Sequence, residues 1–404
     1  MRILHTADWH LGVHLGHNER TIEHALFLQW LLDIINQQAI DVLVIAGDVF
    51  DTGNPSNTAL KQYYDFLWQV KNTCCRDVVI VGGNHDSAST LNAPRDLLQL
   101  FRVHVAGCAP DIPAEQLIEI KDSSGSTQMV ICAVPFLRDR DIRFSVPGES
   151  VDERQRRICQ GIAQHYQNLV PCILPFKEQS VPVIATGHLF TAGASVSSDS
   201  EKDIHVGNLG QVAGDSFPAE FDYIALGHLH RPQLVNKMQH IRYSGSPVPL
   251  SFSENNDRKV VLVADFADGK LSDVEEIPVP VSRRLVRIKG DWNKVKAKLS
   301  LIESRSDELP VWIEILVETD DYISDLDEQL KTLSLVNMEI VSIKQIRTRS
   351  IQSMSDNMEE LLSLNDINPL IVFEKKCEQD YKETGYDDLM QTFREAMELM
   401  RLKD

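Results

Sequence analysis

Five times in this chain a short apolar run stops at a tight turn, and each time the next residues are of kinds that bind metal ions. Residues 3–7 lead into Asp8-Trp9-His10, residues 42–46 into Gly47-Asp48, and residues 78–81 into Gly82-Gly83-Asn84-His85-Asp86. Residues 183–186 lead into Gly187-His188, and residues 223–226 into Gly227-His228-Leu229-His230. Short β-branched runs ended by glycine are buried strands, and open α/β sheets bind ligands beyond the carboxyl ends of their strands. The pattern restricts the chain to an α/β fold whose strand ends bring aspartates, histidines and one asparagine to one edge of a sheet. Hard oxygen and imidazole donors without cysteine suit manganese, iron or zinc. Held as a pair, such ions point to phosphate-ester chemistry.

The segments between these runs supply the helices. Residues 20–36 carry an apolar stripe (Leu28, Leu31, Leu32, Ile35), and residues 58–71 repeat the arrangement before the next strand. This alternation is that of an α/β core. Further on, residues 260–266 and 271–277 flank Ala267-Asp268-Gly269, a hairpin signal expected to open a second sheet that closes a domain of residues 1–280. Pro278 and Pro280 mark its boundary. Residues 281–350 read as a small α+β cap, with strands at 285–289, 311–318 and 339–346 and helices at 292–303 and 323–333. Residues 351–404 read as a polar linker and a helical hairpin. Asn368-Pro369 starts its first helix; Leu389, Phe393, Met397 and Met400 stripe the second. That stripe suits either folding back on its own domain or docking a partner helix.

Composition narrows the setting. No run approaches the roughly 18 apolar residues of a membrane span, and a first strand at Arg2 leaves no room for a signal peptide. The seven cysteines form no CxxC pair, as expected of free thiols in a reducing cytoplasm. A net charge of −19 runs against a nucleic-acid enzyme, since phosphate backbones attract basic surfaces. Two divalent cations, however, would add positive charge at the site itself. The acidity is also uneven: residues 351–404 carry thirteen acidic and six basic side chains, while 282–350 carry twelve of each. Any DNA contact must then use local basic groups. Arg138/Arg140/Arg143 and Arg283/Arg284/Arg287 are candidates, although ion pairs with neighbours such as Asp139 and Asp141 would explain them as well.

Singly, each ligand-type residue could be a helix cap or turn former; five such junctions together favour one metal centre. Two adjacent cations need a bridging anion, for which the isolated carboxylate Asp48 is best placed. The pair Asp8 and His10 suits a first metal, and the neutral carbonyl of Asn84 suits a second beside histidines. His85 is left for proton chemistry or charge stabilisation.

Asp8-Trp9-His10, Gly47-Asp48-Val49-Phe50-Asp51, Gly83-Asn84-His85-Asp86, Gly187-His188 and Gly227-His228-Leu229-His230 resemble the five motifs of the calcineurin-like metallophosphoesterases, over residues 1 to about 235. The longer strings around them, followed by Tyr243-Ser244-Gly245-Ser246-Pro247, resemble the bacterial SbcD family of nuclease subunits over nearly the whole chain. The resemblance implies a two-sheet sandwich flanked by helices. It implies Asp8, His10, Asp48 and His230 on one metal, Asp48, Asn84, His188 and His228 on the other, and His85 oriented by Asp86 as catalytic pair. Asp51 stands where archaeal and eukaryotic relatives carry histidine. The implied activity is manganese-dependent cleavage of DNA, 3′ to 5′ on duplex ends and endonucleolytic at hairpins and single strands. The implied partner is an SMC-like ATPase of the SbcC type, docked on the C-terminal helices in a complex of two nuclease and two ATPase subunits. It would work in the cytoplasm, at the nucleoid during repair. ATP would be used by that partner, because this chain has no GxxxxGK[ST] loop. The rival readings are a phosphatase for nucleotides or phosphoproteins on the same core, and an inactive scaffold subunit.

Overall fold

The computed structural model describes residues 1–143, 148–191, 214–303, 309–319, 323, 326–331, 335–347 and 392–393. The two helices expected within 351–404, with their apolar stripe, lie outside the described residues.

Two six-stranded sheets form the body of the chain. The first runs in the order Lys270–Pro278, Val260–Ala267, Arg2–Thr6, Val42–Ala46, Asp77–Val81, Val103–Ala106. Its last four strands are parallel, and the Val260–Ala267 strand pairs antiparallel with the first, Ile3 opposite Ala264. The second runs Gln233–Val235, Met238–Tyr243, Tyr223–Gly227, Val183–His188, Thr127–Cys132, Leu117–Lys121, with parallel pairing through its middle and antiparallel edges. Strands covered on both faces need apolar residues at every position, and Val42–Ala46, Asp77–Val81, Val183–His188 and Tyr223–Gly227 are buried throughout.

Alternation assigns those residues to layers. Val42, Val44, Val79 and Val81 meet Ile131, Ile184 and Ala225 between the sheets. Leu43, Ile45 and Ile80 face the helices Thr21–Gln37 and Asn57–Val70 on the outside. The long helix Val151–Glu178 covers the second sheet through Ile158, Ile162, Tyr166, Leu169 and Ile173. The result is a helix–sheet–sheet–helix sandwich.

Two expectations change here. The five ligand-bearing strands belong to two sheets, three ending in the first and two in the second. The hairpin across Asp268-Gly269, both at positive φ (50° and 72°) as a tight primed turn requires, extends the first sheet beside Arg2–Thr6. It does not open the second sheet.

The cap is a three-stranded sheet, Leu285–Gly290, Val311–Thr319 and Met338–Arg347, with helices Trp292–Leu299 and Leu326–Lys331. The first of those helices stops four residues short of the expected end. Cap and sandwich form one compact unit of residues 1–318 and 322–346. They join through a buried charge cluster: Glu23 accepts from Arg20 and Arg283, and the Arg283 guanidinium lies 4.1 Å from the Trp312 ring centre. Leu15, Phe252, Leu285 and Trp312 pack around it.

Internal ion pairs remove half of the expected basic face. Arg283 is buried in the joint, Arg287 pairs with Glu314 at 2.5 Å, and Arg143 is held between Asp139 and Glu149 at 2.8 and 2.5 Å. Those three arginines stabilise the fold instead of presenting charge to a phosphate backbone, whereas Arg140 and Arg284 remain exposed. Among the described residues no disulfide joins two cysteines. Among the described residues no helix is long and apolar enough to cross a membrane.

Candidate metal centre

All five turns open at the same end of the sandwich, at the carboxyl ends of strands from both sheets. The first two are laced together by backbone hydrogen bonds: Asp8 N to Gly47 O, His10 N to Asp48 O and Leu11 N to Val49 O, at 2.9–3.0 Å. Asp8 in turn accepts from the backbone N–H of His228 at 2.9 Å, tying the first sheet to the second. Close approach explains the glycines. A Cβ on Gly83 would collide with the Asp48 carboxylate, and one on Gly227 with the Ala46 carbonyl.

The loops are strained where the ligand-type residues sit. Asp8, His10, Asp48 and His228 have φ of 53°, 48°, 48° and 101°, in the left-handed region that L-residues avoid. Each such residue costs on the order of 1–3 kcal/mol and persists only where its surroundings over-determine it. Four together mark a place where side-chain direction outweighs backbone comfort.

The donor atoms converge into two sets. Asp48 Oδ2 lies 3.2 Å from His188 Nε2, which is 3.0 Å from Asn84 Oδ1, which is 3.1 Å from His228 Nδ1. On the other side the same Asp48 oxygen is 3.5 Å from His10 Nε2. Asp8, His10 and His230 each bring a donor atom within 4.8 Å of one another, and so do Asp8, Asp48 and His188. Donors at right angles around one ion at about 2.1 Å would lie about 3.0 Å apart, which is the spacing of the second set.

Without a cation this arrangement is electrostatically poor. His188 Nδ1 faces the Ala46 carbonyl at 3.0 Å, so its proton belongs there and the lone pair on Nε2 points at two acceptors, Asn84 Oδ1 and Asp48 Oδ2. Burial alone would push this imidazole down, but Asp48 and Asp8 raise it to about 9, a proton doing what a cation would do. His228 is pushed down to about 3 by burial and the neighbouring His188. Burial works against ionisation of Asp48, yet His188, His10 and His85 hold it well below the usual carboxylate range. Asp8 Oδ2 is buried with no hydrogen-bond partner, and Asp48 Oδ2 has none of proper geometry despite its close imidazoles. Unpartnered buried oxygens of this kind are costly unless an ion meets them. The donor set therefore fits divalent cations.

His85 sits beside these sets, its ring centre 4.8 Å from that of His10. Its Nδ1 lies 2.8 Å from the Asp51 carbonyl oxygen, which can only accept, so Nε2 is the nitrogen able to exchange a proton. Asp86 does not orient it, contrary to expectation. The Asp86 carboxylate accepts from the backbone N–H groups of Val49, Phe50 and Gly83 at 3.1, 2.9 and 2.9 Å, clasping the second and third loops together. Burial and the nearby Asp48 push Asp86 up to about 6. Asp51 also lies 3.3 Å from His10 Nδ1 through its side chain.

One neighbour carried no signal in the motifs. Glu254, fully buried in the turn Phe252–Glu254, lies 3.2 Å from His230 Nδ1.

Sandwich and site together define a calcineurin-like phosphoesterase, and the chain belongs to that family: its model matches residues 1–232. A second model, described as a type 5 capsule protein repressor C-terminal domain, matches residues 281–381. Within the family the chain groups with the D subunits of the nuclease SbcCD. It is 39% identical over 365 residues to that of Escherichia coli K12, covering 90% of each chain. It is 33% identical over 327 residues to that of Bacillus subtilis 168, covering 80% of this chain and 81% of the other. Among solved structures, a dimetal phosphatase from Danio rerio aligns with a TM-score of 0.41 at 13% identity, over 70% of this chain and 99% of that one. The chain is thus a metal-dependent nuclease that uses divalent cations.

Proposed function

We propose that this chain is the nuclease subunit of an ATPase–nuclease complex. It would degrade duplex DNA 3′ to 5′ from ends and open hairpins and single strands endonucleolytically, with two manganese ions. Asp8, His10, Asp48 and His230 would hold one ion, and Asp48, Asn84, His188 and His228 the other. When bound, the pair supplies Lewis-acid polarisation of the scissile phosphodiester and a water acidic enough to attack it. The observation carrying this reading is the position of Asp48 Oδ2, close to an imidazole of each donor set at 3.5 and 3.2 Å.

The chain's own residues divide the remaining work. His85 offers Nε2 to the reacting phosphate, to stabilise its developing charge or to hand a proton to the leaving oxygen. The Asp51 carbonyl holds the proton on the opposite nitrogen and so fixes which one faces the substrate. Asp86 keeps the loops of Asp48 and Asn84 in register. The partner would be an SbcC-type ATPase in a complex of two copies of each subunit, in the cytoplasm. Its docking element is placed in residues 351–404, whose stripe of Leu389, Phe393, Met397 and Met400 on an acidic background suits a helical partner.

The test is hydrolysis by the purified chain with manganese. Duplex DNA and bis-p-nitrophenyl phosphate should be cleaved well and p-nitrophenyl phosphate poorly. A marked preference for the monoester would make the chain a phosphatase. Truncation at residue 355 should leave diester cleavage intact and abolish co-purification with the ATPase; full co-purification would move docking elsewhere.

A further inference from the structure

His230 is the site imidazole whose far nitrogen meets a buried carboxylate. Glu254 Oε1 lies 3.2 Å from His230 Nδ1. The other oxygen, Oε2, sits among donors: Lys259 Nζ at 2.5 Å, the Leu250 N–H at 3.2 Å and Ser246 Oγ at 3.4 Å. Lys259 also donates to the His230 carbonyl at 3.1 Å, so the same cluster grips the histidine's backbone. Glu254, Lys259 and His230 are at most 7% exposed. A buried carboxylate fixed at both oxygens is expensive to build for a histidine that merely fills space.

We propose that Glu254 is a positioning residue for the metal centre, holding the His230 proton on Nδ1 so that Nε2 presents its lone pair to the ion. This rests on the reading of His230 as a ligand. Glu254 touches neither ion nor substrate and acts through the imidazole alone. The same loop is anchored at Pro249, whose carbonyl accepts from Arg20 of the Arg20–Glu23–Arg283 cluster, so the joint between cap and sandwich also braces Glu254.

The arrangement makes an unusual demand of the conservative variant. In Glu254→Gln the one remaining carbonyl oxygen belongs where the three donors converge. The amide NH2 then turns toward His230 Nδ1, driving the imidazole proton onto Nε2 and closing off its lone pair. Outer partners of ligating histidines are typically worth 10–100-fold in metal affinity.

The experiment is calorimetric titration of the full-length, metal-free protein with manganese alone. It compares wild type, Glu254→Gln, Ile162→Ala and His230→Ala, with urea unfolding of each in chelator. Glu254→Gln should weaken one of two sites about 10–100-fold and spare the other. Ile162→Ala, a core truncation in the helix Val151–Glu178 that carries no donor atom of the site, should lose stability yet keep both affinities within about threefold. His230→Ala should lose the same site as Glu254→Gln. Wild-type affinities in Glu254→Gln, with a site lost in His230→Ala, would overturn the positioning role alone. Two intact sites in His230→Ala would overturn the ligand reading beneath it. A loss in Ile162→Ala equal to that in Glu254→Gln would show that general destabilisation is the cause. If Glu254→Gln fails to fold, long-range 15N–1H spectra of the metal-free wild type decide. The Nδ1–H tautomer of His230 is expected, and an Nε2–H tautomer would overturn the proposal.

Discussion

Replacing Asp86 by asparagine separates two roles that its place beside His85 confuses. Oδ2 of Asp86 accepts from Val49 N and Gly83 N, and Oδ1 accepts from Phe50 N. An asparagine oxygen can keep the first two bonds. Its NH2 then faces the Phe50 N–H, donor against donor, in a fully buried pocket. Leaving one buried donor unsatisfied costs about 1–3 kcal/mol, so Asp86→Asn should lose that much in urea unfolding with chelator present. The loosened clasp joins the loops of Asp48 and Asn84, so manganese affinity should fall too. His85 keeps its Asp51 partner, so turnover at saturating manganese should stay within about tenfold of wild type. An unchanged stability with a turnover loss of two orders of magnitude or more would refute this account and make Asp86 the orienter of His85.

His85→Ala should retain both manganese ions in elemental analysis and lose about two to four orders of magnitude in cleavage of bis-p-nitrophenyl phosphate, because it supplies charge or a proton without coordinating. Gly83→Ala should lose stability and bind manganese weakly, since its new methyl meets both the Asp48 carboxylate and the Asp48 backbone nitrogen; unaltered stability in urea unfolding and unaltered occupancy in a titration would show that the loop yields freely. His24 is buried and held down to about 3 by burial and by Arg20, against an ordinary 6.5. The unfolded chain therefore takes up its proton first, and the stability this neutral histidine contributes is present above about pH 6.5 and lost as pH falls. Between pH 7 and pH 5 the wild type should lose about 2 kcal/mol more than His24→Leu in urea unfolding; parallel losses would show that His24 titrates normally.

The residues that converge at the site were legible because they follow apolar runs within the next turn, a local pattern that tertiary context did not disturb. Which sheet each strand joined was not legible. Strands buried on both faces look alike in sequence, and only the pairing of Ile3 with Ala264 puts the late hairpin beside the first strand. Asp86 was misjudged for a related reason. Residues adjacent in sequence point their side chains apart, and the carboxylate found three backbone donors where its neighbour's ring found the Asp51 carbonyl. Arg283 and Arg287 gave no sign of their pairing because their partners are remote, Glu23 lying 260 residues from Arg283 and Glu314 lying 27 from Arg287, whereas Arg143 takes the near neighbour Asp139 that the sequence already offered. Glu254 is 24 residues from His230 and belongs to no ligand motif, so only the folded chain brings the two together.

The central claim is a pair of ions sharing Asp48, and anomalous diffraction at the manganese edge from crystals of the metal-loaded chain tests it most directly. Two peaks about 3.5–4 Å apart are expected, one among Asp8, His10, Asp48 and His230 and the other among Asp48, Asn84, His188 and His228. A single peak, or two peaks of which only one touches Asp48, would contradict it.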